Sequence, residues 1–390
     1  MSLGDRLPLT EEQKMLRDMV RDFAENKIKP IAAEIDETER FPEEIFAEMG
    51  ELGLMGIPYP EEYGGAGMDY TSYALAIEEI AKVCGSTALG LAAHISLGCG
   101  PIYLFGTEEQ KKKYLPDLCA GKHMGGFGLT EPQAGSDAGA TKTTCLDQGD
   151  HYLLNGTKVY CTNGSYSKTY VVSALTEKDK GTRGISCFIV ERDWDGFAVG
   201  KKERKLGVRG SDTVVLHFND VKVPKANLLG RPGEGFKQML ATLDGGRISI
   251  GSMSLGLAEG AYIETLKYVT GRKAFDQRIA DFQATQFKLA DMLVQIEAAR
   301  HMIFDAAKKK DAGEDFSREA AMAKLYASEV GARVTSQAIQ LHGGYGYVRE
   351  YPVERMFRDN KLTEIGEGTS EIQRLVIARA LLKEWDQATA

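Results

Sequence analysis

The sequence predicts an α+β fold that is mostly α, and three observations carry that prediction. Apolar residues recur at helical spacing through about the first 120 positions; short alternating runs separated by Gly, Asp and Lys turns follow; helical spacing then returns from about Gly235 and persists. At 390 residues the chain exceeds one small core. The shifts in pattern divide it into an N-terminal helical domain at 1–122, a middle domain at 123–233 and a C-terminal helical domain at 234–390. Strands this short suggest a small barrel or sandwich in the middle rather than a βαβ sheet. The long helices at the end read as a bundle.

In the first domain, Thr10 with Gln13 makes a capping box, and Met15, Leu16, Met19, Val20, Phe23 and Ala24 share one helical face. Pro30 interrupts that helix. Further helices are expected at about Pro42 to Leu52 and Thr71 to Val83, with an apolar, small-residue run from Ser86 to Leu104. Thr107 with Gln110 caps a short helix ending near Ala120 and Gly121. In the middle domain, Tyr152, Leu154 and Val159 flank Asn155-Gly156, the strongest short hairpin signal in the chain. Strands are expected at Thr169 to Ala174, Gly184 to Val190 and Thr213 to Phe218. Beyond them, helices are expected over Leu240 to Leu257, Ala258 to Thr270, Phe282 to Lys308, Ser317 to Gln340 and Ser370 to Trp385. The Gly271 to Phe275 and His342 to Gly346 segments between them read as loops.

Composition narrows the function. Hydrophobic content of 43% with 27% charged residues is that of an ordinary globular protein. No window reaches the uninterrupted apolar length of a membrane span, so no span is expected. The opening MSLGDRLPLTEEQK has neither a secretory apolar core nor an Arg-rich presequence, which leads to the expectation of a cytoplasmic protein. A net charge of −8 argues against a general nucleic-acid role. Six dispersed cysteines without CxxC spacing, and no clustered histidines, argue against a metal site and a disulfide framework. No GxGxxG follows a strand to open a helix, so a Rossmann nucleotide site is not expected.

The stretch most open to chemistry is Lys361 to Arg374, KLTEIGEGTSEIQR. Gly366 and Gly368 flank Glu367 and free the backbone for an irregular loop that a flat ligand can approach closely. Ser370 with Gln373 fits a capping box, and Ile372, Leu375, Ile377, Leu381 and Leu382 continue one helical face. Glu367 is therefore either a base held at the end of a rigid element or an incidental carboxylate on a surface turn.

Two distant stretches bear on that choice. GLTEPQAGSDAG, from Gly128 to Gly139, and QLHGGYGYVREYPVERMFRD, from Gln340 to Asp359, resemble the two signature segments of the acyl-CoA dehydrogenase family. IGEGTSEIQR resembles the segment carrying that family's catalytic base. All three occur in the family's order, and the helical, β, helical layout matches over essentially the whole chain, closest in type to the short-chain, butyryl-CoA members. The resemblance implies that the middle domain is a β-barrel and the last domain a four-helix bundle. It also implies FAD-dependent α,β-dehydrogenation of an acyl-CoA to the 2-enoyl-CoA, as in fatty acid β-oxidation. Glu367 would abstract the α-proton while a hydride passes to flavin N5. The Glu367 N–H would be one donor to the thioester oxygen, and Gly366 and Gly368 would let the main chain meet it.

Carried over residue by residue, the resemblance assigns flavin contacts to Phe127, Leu129, Thr130 and Ser136, with Ser136 also near the substrate. Tyr160, Cys161 and Thr162 match the segment beside the flavin ring, with Tyr160 where many members have Trp. Arg272, Phe275, Gln283, Gln340, Gly343 and Gly344 match positions where a neighbouring subunit reaches the adenosine end of FAD, and Thr369 and Glu371 match the last flavin contacts. A cofactor shared in this way implies a homo-oligomer, in this family usually a tetramer. Asp244 and Arg247 match CoA-contacting positions, although a solvated helical charge pair explains them equally well. Gly246 stands where part of the family carries its base, and it cannot serve. An electron-transfer flavoprotein is the acceptor that the family implies.

Gly366 replaces a Tyr found in many straight-chain members, which opens the acyl pocket to a branched or cyclic chain. No Lys or Arg lies between Lys82 and Lys111, so a dicarboxylic substrate is disfavoured. His94 is either a pocket residue or a satisfied core histidine. The expected substrate is a short- to medium-chain acyl-CoA. Two other readings are an acyl-CoA oxidase passing electrons to oxygen and a non-catalytic acyl-CoA-binding protein of the same fold.

Overall fold

The structure, a computed structural model, describes residues 7–389; positions 1–6 and 390, which the predicted outer domains include, lie outside the described residues. The first domain contains helices α1 (Glu11–Phe23), α2 (Ala32–Thr38), α3 (Glu43–Glu51), α4 (Tyr70–Ala81), α5 (Gly85–Ala93), α6 (Gly100–Phe105) and α7 (Glu108–Cys119). Both predicted capping boxes at Thr10–Gln13 and Thr107–Gln110 form. Around Pro30 the chain passes through one wide and one tight turn before α2, because proline cannot continue the backbone hydrogen-bond ladder. The expectation that no stretch could span a membrane needs correcting. Gly85–Phe105 is long and apolar enough by length and composition, yet it is mostly buried inside the protein, as the core helix of a globular domain is.

The middle domain is one eight-stranded sheet made of β1 (Met124–Gly128), β2 (Thr144–Asp147), β3 (His151–Thr162), β4 (Ser167–Leu175), β5 (Ile185–Glu191), β6 (Phe197–Lys202), β7 (Thr213–Pro224) and β8 (Leu228–Leu229). The path runs β6-β7-β3-β2-β4-β5-β8, with β1 parallel to β4. Alternation along β4 and β5 explains why both are buried along most of their length. Tyr170, Val172, Phe188 and Val190 fill the sheet's own core, while Val171, Cys187 and Ile189 join the helical core.

The Asn155-Gly156 pair does not turn the chain, contrary to the sequence expectation. β3 runs straight through it with a bulge, Gly156 takes φ +147°, and the Asn155 side chain bridges to Asp220 at 2.9 Å. The hairpin turn lies six residues earlier, at Gly149-Asp150, where Gln148 N donates to His151 O at 2.9 Å.

The last domain contains α8 (Gly235–Gly271), α9 (Gln283–Asp311), α10 (Ser317–His342), α11 (Val353–Asn360) and α12 (Ser370–Thr389). The two helices expected between Leu240 and Thr270 are one continuous helix of 37 residues. Its internal glycines mark contact rather than breakage, since a Cβ at Gly256 would stand 2.3 Å from Glu78 O of α4. Buried Arg300 of α9 joins the same seam by bonding Glu78 of α4 and Glu259 of α8, the latter at 2.6 Å. Asp311, at the end of α9, accepts from Tyr70 N at 2.6 Å and Thr71 N at 3.1 Å and so caps α4. These ties fix the face of α4 against α8, which is where the candidate site lies. The middle sheet is pinned to the bundle where Val208 N donates to Asp359 Oδ1 at 2.5 Å.

Candidate active site

Glu367 leaves the turn Lys361–Glu364 in a left-handed conformation, φ +54°, followed by Gly368 at φ +96°. The expected Ser370–Gln373 capping box is not the device that follows. Thr369 Oγ1 accepts from Ile372 N at 3.4 Å, and the Gln373 side chain reaches back to Glu367 O at 3.2 Å and Gly368 O at 2.9 Å. Gln373 is drawn inward because two loop carbonyls need donors there. Lys324 of α10 gives Gly368 O a second donor at 2.8 Å. The loop is thus held from both α12 and α10.

Residue 367 as a whole is half-buried, but its carboxylate is enclosed, and Oε2 is shut from solvent without a hydrogen-bond partner. The wall is Gly246 of α8, where a Cβ would lie 1.8 Å from that oxygen. Glu367 therefore occupies the space that a side chain at 246 would take. Burial pushes its carboxyl up to about 7, against the opposing pull of Lys324 and Arg247. Tyr70 and Tyr73 of α4, both buried, feel the same negative charge. A buried, partnerless carboxylate with proton affinity near neutrality is equipped to accept a proton from carbon.

Asp244 and Arg247 are bonded to each other, and Asp244 also accepts from Ser317 Oγ at 3.0 Å. The pair is not solvated as a surface pair would be, because Arg247 is buried and its Nε has no partner. His94 is a core residue rather than a pocket residue. Its Nδ1 accepts from Gly125 N at 2.9 Å, its Nε2 lies 3.1 Å from Leu118 O, and burial lowers its pKa to about 4.

The proposed flavin residues form two groups. Phe127, Leu129 and Thr130 lie half-buried along β3, where Val159 N donates to Thr130 O at 2.8 Å. Beside them Tyr160 stands 66% exposed on a bulge at φ +57°, with Thr162 half-exposed and Ser136 exposed. Cys161 turns its thiol into the sheet core, so only its backbone is left for a ligand on that side.

The second group sits at the end of the bundle. Arg272 lies over the Tyr345 ring at 5.6 Å with no carboxylate within ion-pair distance among the described residues, and Phe275 is 89% exposed. Gln283 and Gln340 are exposed, and nothing lies within 4 Å of where a Cβ would stand at Gly343 or Gly344. Thr369 is half-buried and Glu371 exposed at the start of α12. A flat exposed ring and hydroxyls at one place, and a guanidinium without a carboxylate partner over Tyr345 beside two open glycines at the other, suit the ring and the anionic end of FAD. Among the described residues no hydrogen bond or ion pair joins the two groups within one chain.

Sequence reasoning did not single out Tyr70, Tyr73 or Lys324. Lys324 had a usable signal, a lone cation in the Ala-rich run AAMAKLYA. The apolar face expected on α12 is not buried: Leu375, Leu381 and Leu382 are exposed, and among the described residues of that helix only Ser370 and Gln373 are buried.

Three family models match, described as the acyl-CoA dehydrogenase N-terminal domain over residues 10–122, middle domain over 126–221 and C-terminal domain over 233–382. A probable acyl-CoA dehydrogenase of Bacillus subtilis is 57% identical over 376 residues, covering 96% of this chain and 99% of that protein. Among solved structures, butyryl-CoA dehydrogenase from Megasphaera elsdenii superposes with a TM-score of 0.95 at 46% identity, covering 96% of this chain and 99% of its own. A chain from the structure of the electron transferring flavoprotein of Acidaminococcus fermentans has a TM-score of 0.95 at 49% identity, covering 98% and 100%.

Proposed function

The chain belongs to the acyl-CoA dehydrogenase family, and from that premise we propose that Glu367 is the base of an enzyme that dehydrogenates short- to medium-chain acyl-CoAs. The enzyme is an FAD-dependent acyl-CoA dehydrogenase. One observation carries the assignment of the base: the Glu367 carboxylate is enclosed, lacks a partner on Oε2 and rests against Gly246.

The thioester lies with its oxygen on the Glu367 N–H, so charge developing on that oxygen meets a fixed donor. Glu367 takes the proton from the α carbon, and the enclosed site keeps water from competing for it. FAD, when bound, supplies the acceptor for the hydride that leaves the β carbon. Phe127, Leu129, Thr130, Ser136, the Tyr160–Thr162 segment, Thr369 and Glu371 would hold its ring and phosphates in one subunit. Arg272, Phe275, Gln283, Gln340, Gly343 and Gly344 of a second copy would hold the adenosine end. Two supports favour that sharing: the groups are separate within one chain, and the apolar residues of α12 are uncovered. A homotetramer follows as the assembly, with an electron-transfer flavoprotein as partner. The Asp244–Arg247 pair is placed to meet the CoA portion, through the unpartnered Arg247 Nε.

Glu367→Gln keeps shape and hydrogen-bonding capacity but removes the base. Its FAD absorbance and acyl-CoA binding should persist while turnover in a dye-reduction assay falls by about 10²–10⁴-fold; near-normal turnover would remove Glu367 from the role. At Gly366 a Cβ would meet only ordinary contacts, 3.5 Å to Leu362 O, so the absence of a side chain leaves usable space. A branched acyl chain fits that space. In a steady-state panel Gly366→Tyr should lower kcat/KM for branched more than for straight acyl-CoAs, and an equal loss on both would dismiss the idea.

A further inference from the structure

Lys324 lies in an apolar stretch of α10 and is among the largest fully buried side chains of the molecule. α10 packs against α8 at this point, where a Cβ at Gly251 of α8 would stand 3.6 Å from Lys324 Cα, an ordinary contact distance. The lysine stem crosses that seam, and Nζ ends on Gly368 O at 2.8 Å, next to the residue proposed as base. Among the described residues no carboxylate lies within ion-pair distance of this ammonium. Burying an unpaired cation costs several kcal/mol, and a methionine would pack the same seam without that cost. The charge must act elsewhere.

The groups around it show where. Glu367 faces Lys324 from the loop, with Glu364 and Glu371 farther along the same segment; Arg247, itself bonded to Asp244, approaches from α8. Tyr70 and Tyr73 close the α4 side, and Lys310 of α9 lies over the Tyr70 ring at 4.2 Å. Arg247 is engaged by Asp244 while Lys324 has no ion pair of its own, and of the two cations that favour the Glu367 carboxylate Lys324 has the larger influence.

We infer that Lys324 is a positioning residue for proton abstraction: its ammonium fixes the Gly368 carbonyl, and with it the aim of Glu367, and favours the ionised form of the Glu367 carboxylate that accepts the substrate proton. This rests on Glu367 being the base. The electrostatics run both ways. Burial raises the Glu367 carboxyl and Lys324 pulls it back; burial lowers the Lys324 ammonium to about 8, and Glu367 is the largest influence opposing that fall. The balance leaves Lys324 mostly charged near neutrality and Glu367 divided between its ionised and protonated forms. Removing the cation must then raise the proton affinity of Glu367, so the acid limb of the kcat/KM profile moves to higher pH.

The test uses the FAD-loaded enzyme with Lys324→Gln, which can still donate to Gly368 O without a charge, and Lys324→Arg, which keeps the charge. Lys324→Gln should retain flavin absorbance and shift its acid limb upward by about 1 pH unit, the low end of what a nearby opposite charge supplies. Lys324→Arg should leave the limb near its wild-type position. A second readout needs no turnover: the infrared carboxylate band that disappears in Glu367→Gln should titrate at higher pH in Lys324→Gln. If Lys324→Gln loses FAD or folds poorly, the Arg variant decides, and a limb shifted upward despite the retained charge overturns the inference. An unshifted limb and band in Lys324→Gln overturn it too. Failure of the base assignment is distinct, because Glu367→Gln would then turn over normally whatever Lys324 does.

Discussion

Two buried glutamates in this molecule have opposite chemistry. Glu131, after β1, accepts from Lys158 Nζ at 2.8 Å, Lys142 N at 2.7 Å and Thr143 N at 3.1 Å, and also from Thr141 and Gln133. Burial alone would raise its pKa, but Lys158 and these donors bring it down to about 2. Glu367 is enclosed too, yet its Oε2 meets no donor, and its pKa rises to about 7. Burial is common to both. What separates these two carboxylates is whether their lone pairs are already occupied.

The contrast can be broken most severely at Glu131. Lys158→Met leaves that carboxylate buried without its cation, and stability to urea should fall by about 3–5 kcal/mol; an unchanged unfolding midpoint would mean that Glu131 is not held by its charge partner. A smaller effect is expected on the other side. Gly246→Ala puts a methyl 1.8 Å from the resting position of Glu367 Oε2, so the carboxylate must move. Misplacement of about 1 Å costs on the order of 10²-fold in turnover, and FAD absorbance should be unaffected; full activity would show that the resting position is not the working one.

The smallest effect is the sharpest in sign. With its folded pKa at about 7, above the ordinary carboxyl value of 4.5, Glu367 favours the folded state below 4.5 and loses that contribution as pH rises to 7. Glu131, with a folded pKa of about 2 against 4.5, contributes above 4.5 and loses it as pH falls towards 2. Melting temperature of the wild type minus that of Glu367→Gln should therefore decline between pH 4.5 and 7. A flat difference would contradict the desolvation of Glu367.

The legible parts of the protein were those with local causes. Thr10–Gln13 and Thr107–Gln110 formed the expected caps because both partners lie within one turn of helix. The glycine-flanked Glu367 was visible for the same reason, since left-handed backbone is a local demand. Asn155-Gly156 misled because the same dipeptide also serves a bulge, and only pairing across to Asp220 and Thr143 decides between the two. Ser370–Gln373 misled because loop carbonyls from outside the helix competed for the glutamine.

From the sequence alone came the three-part order of helix, sheet and helix, the loop that carries Glu367 and the family to which the chain is similar, because periodicity and turn chemistry act over a few residues. The tertiary structure decided what those residues face. It set Gly246 against the Glu367 carboxylate, brought Lys324 across from another helix onto the same loop, turned Cys161 inward and left the apolar residues of α12 uncovered. Such pairings join positions up to about 120 residues apart, and proton affinity depends on the total of charge and solvent around a group, which no local pattern of residues records.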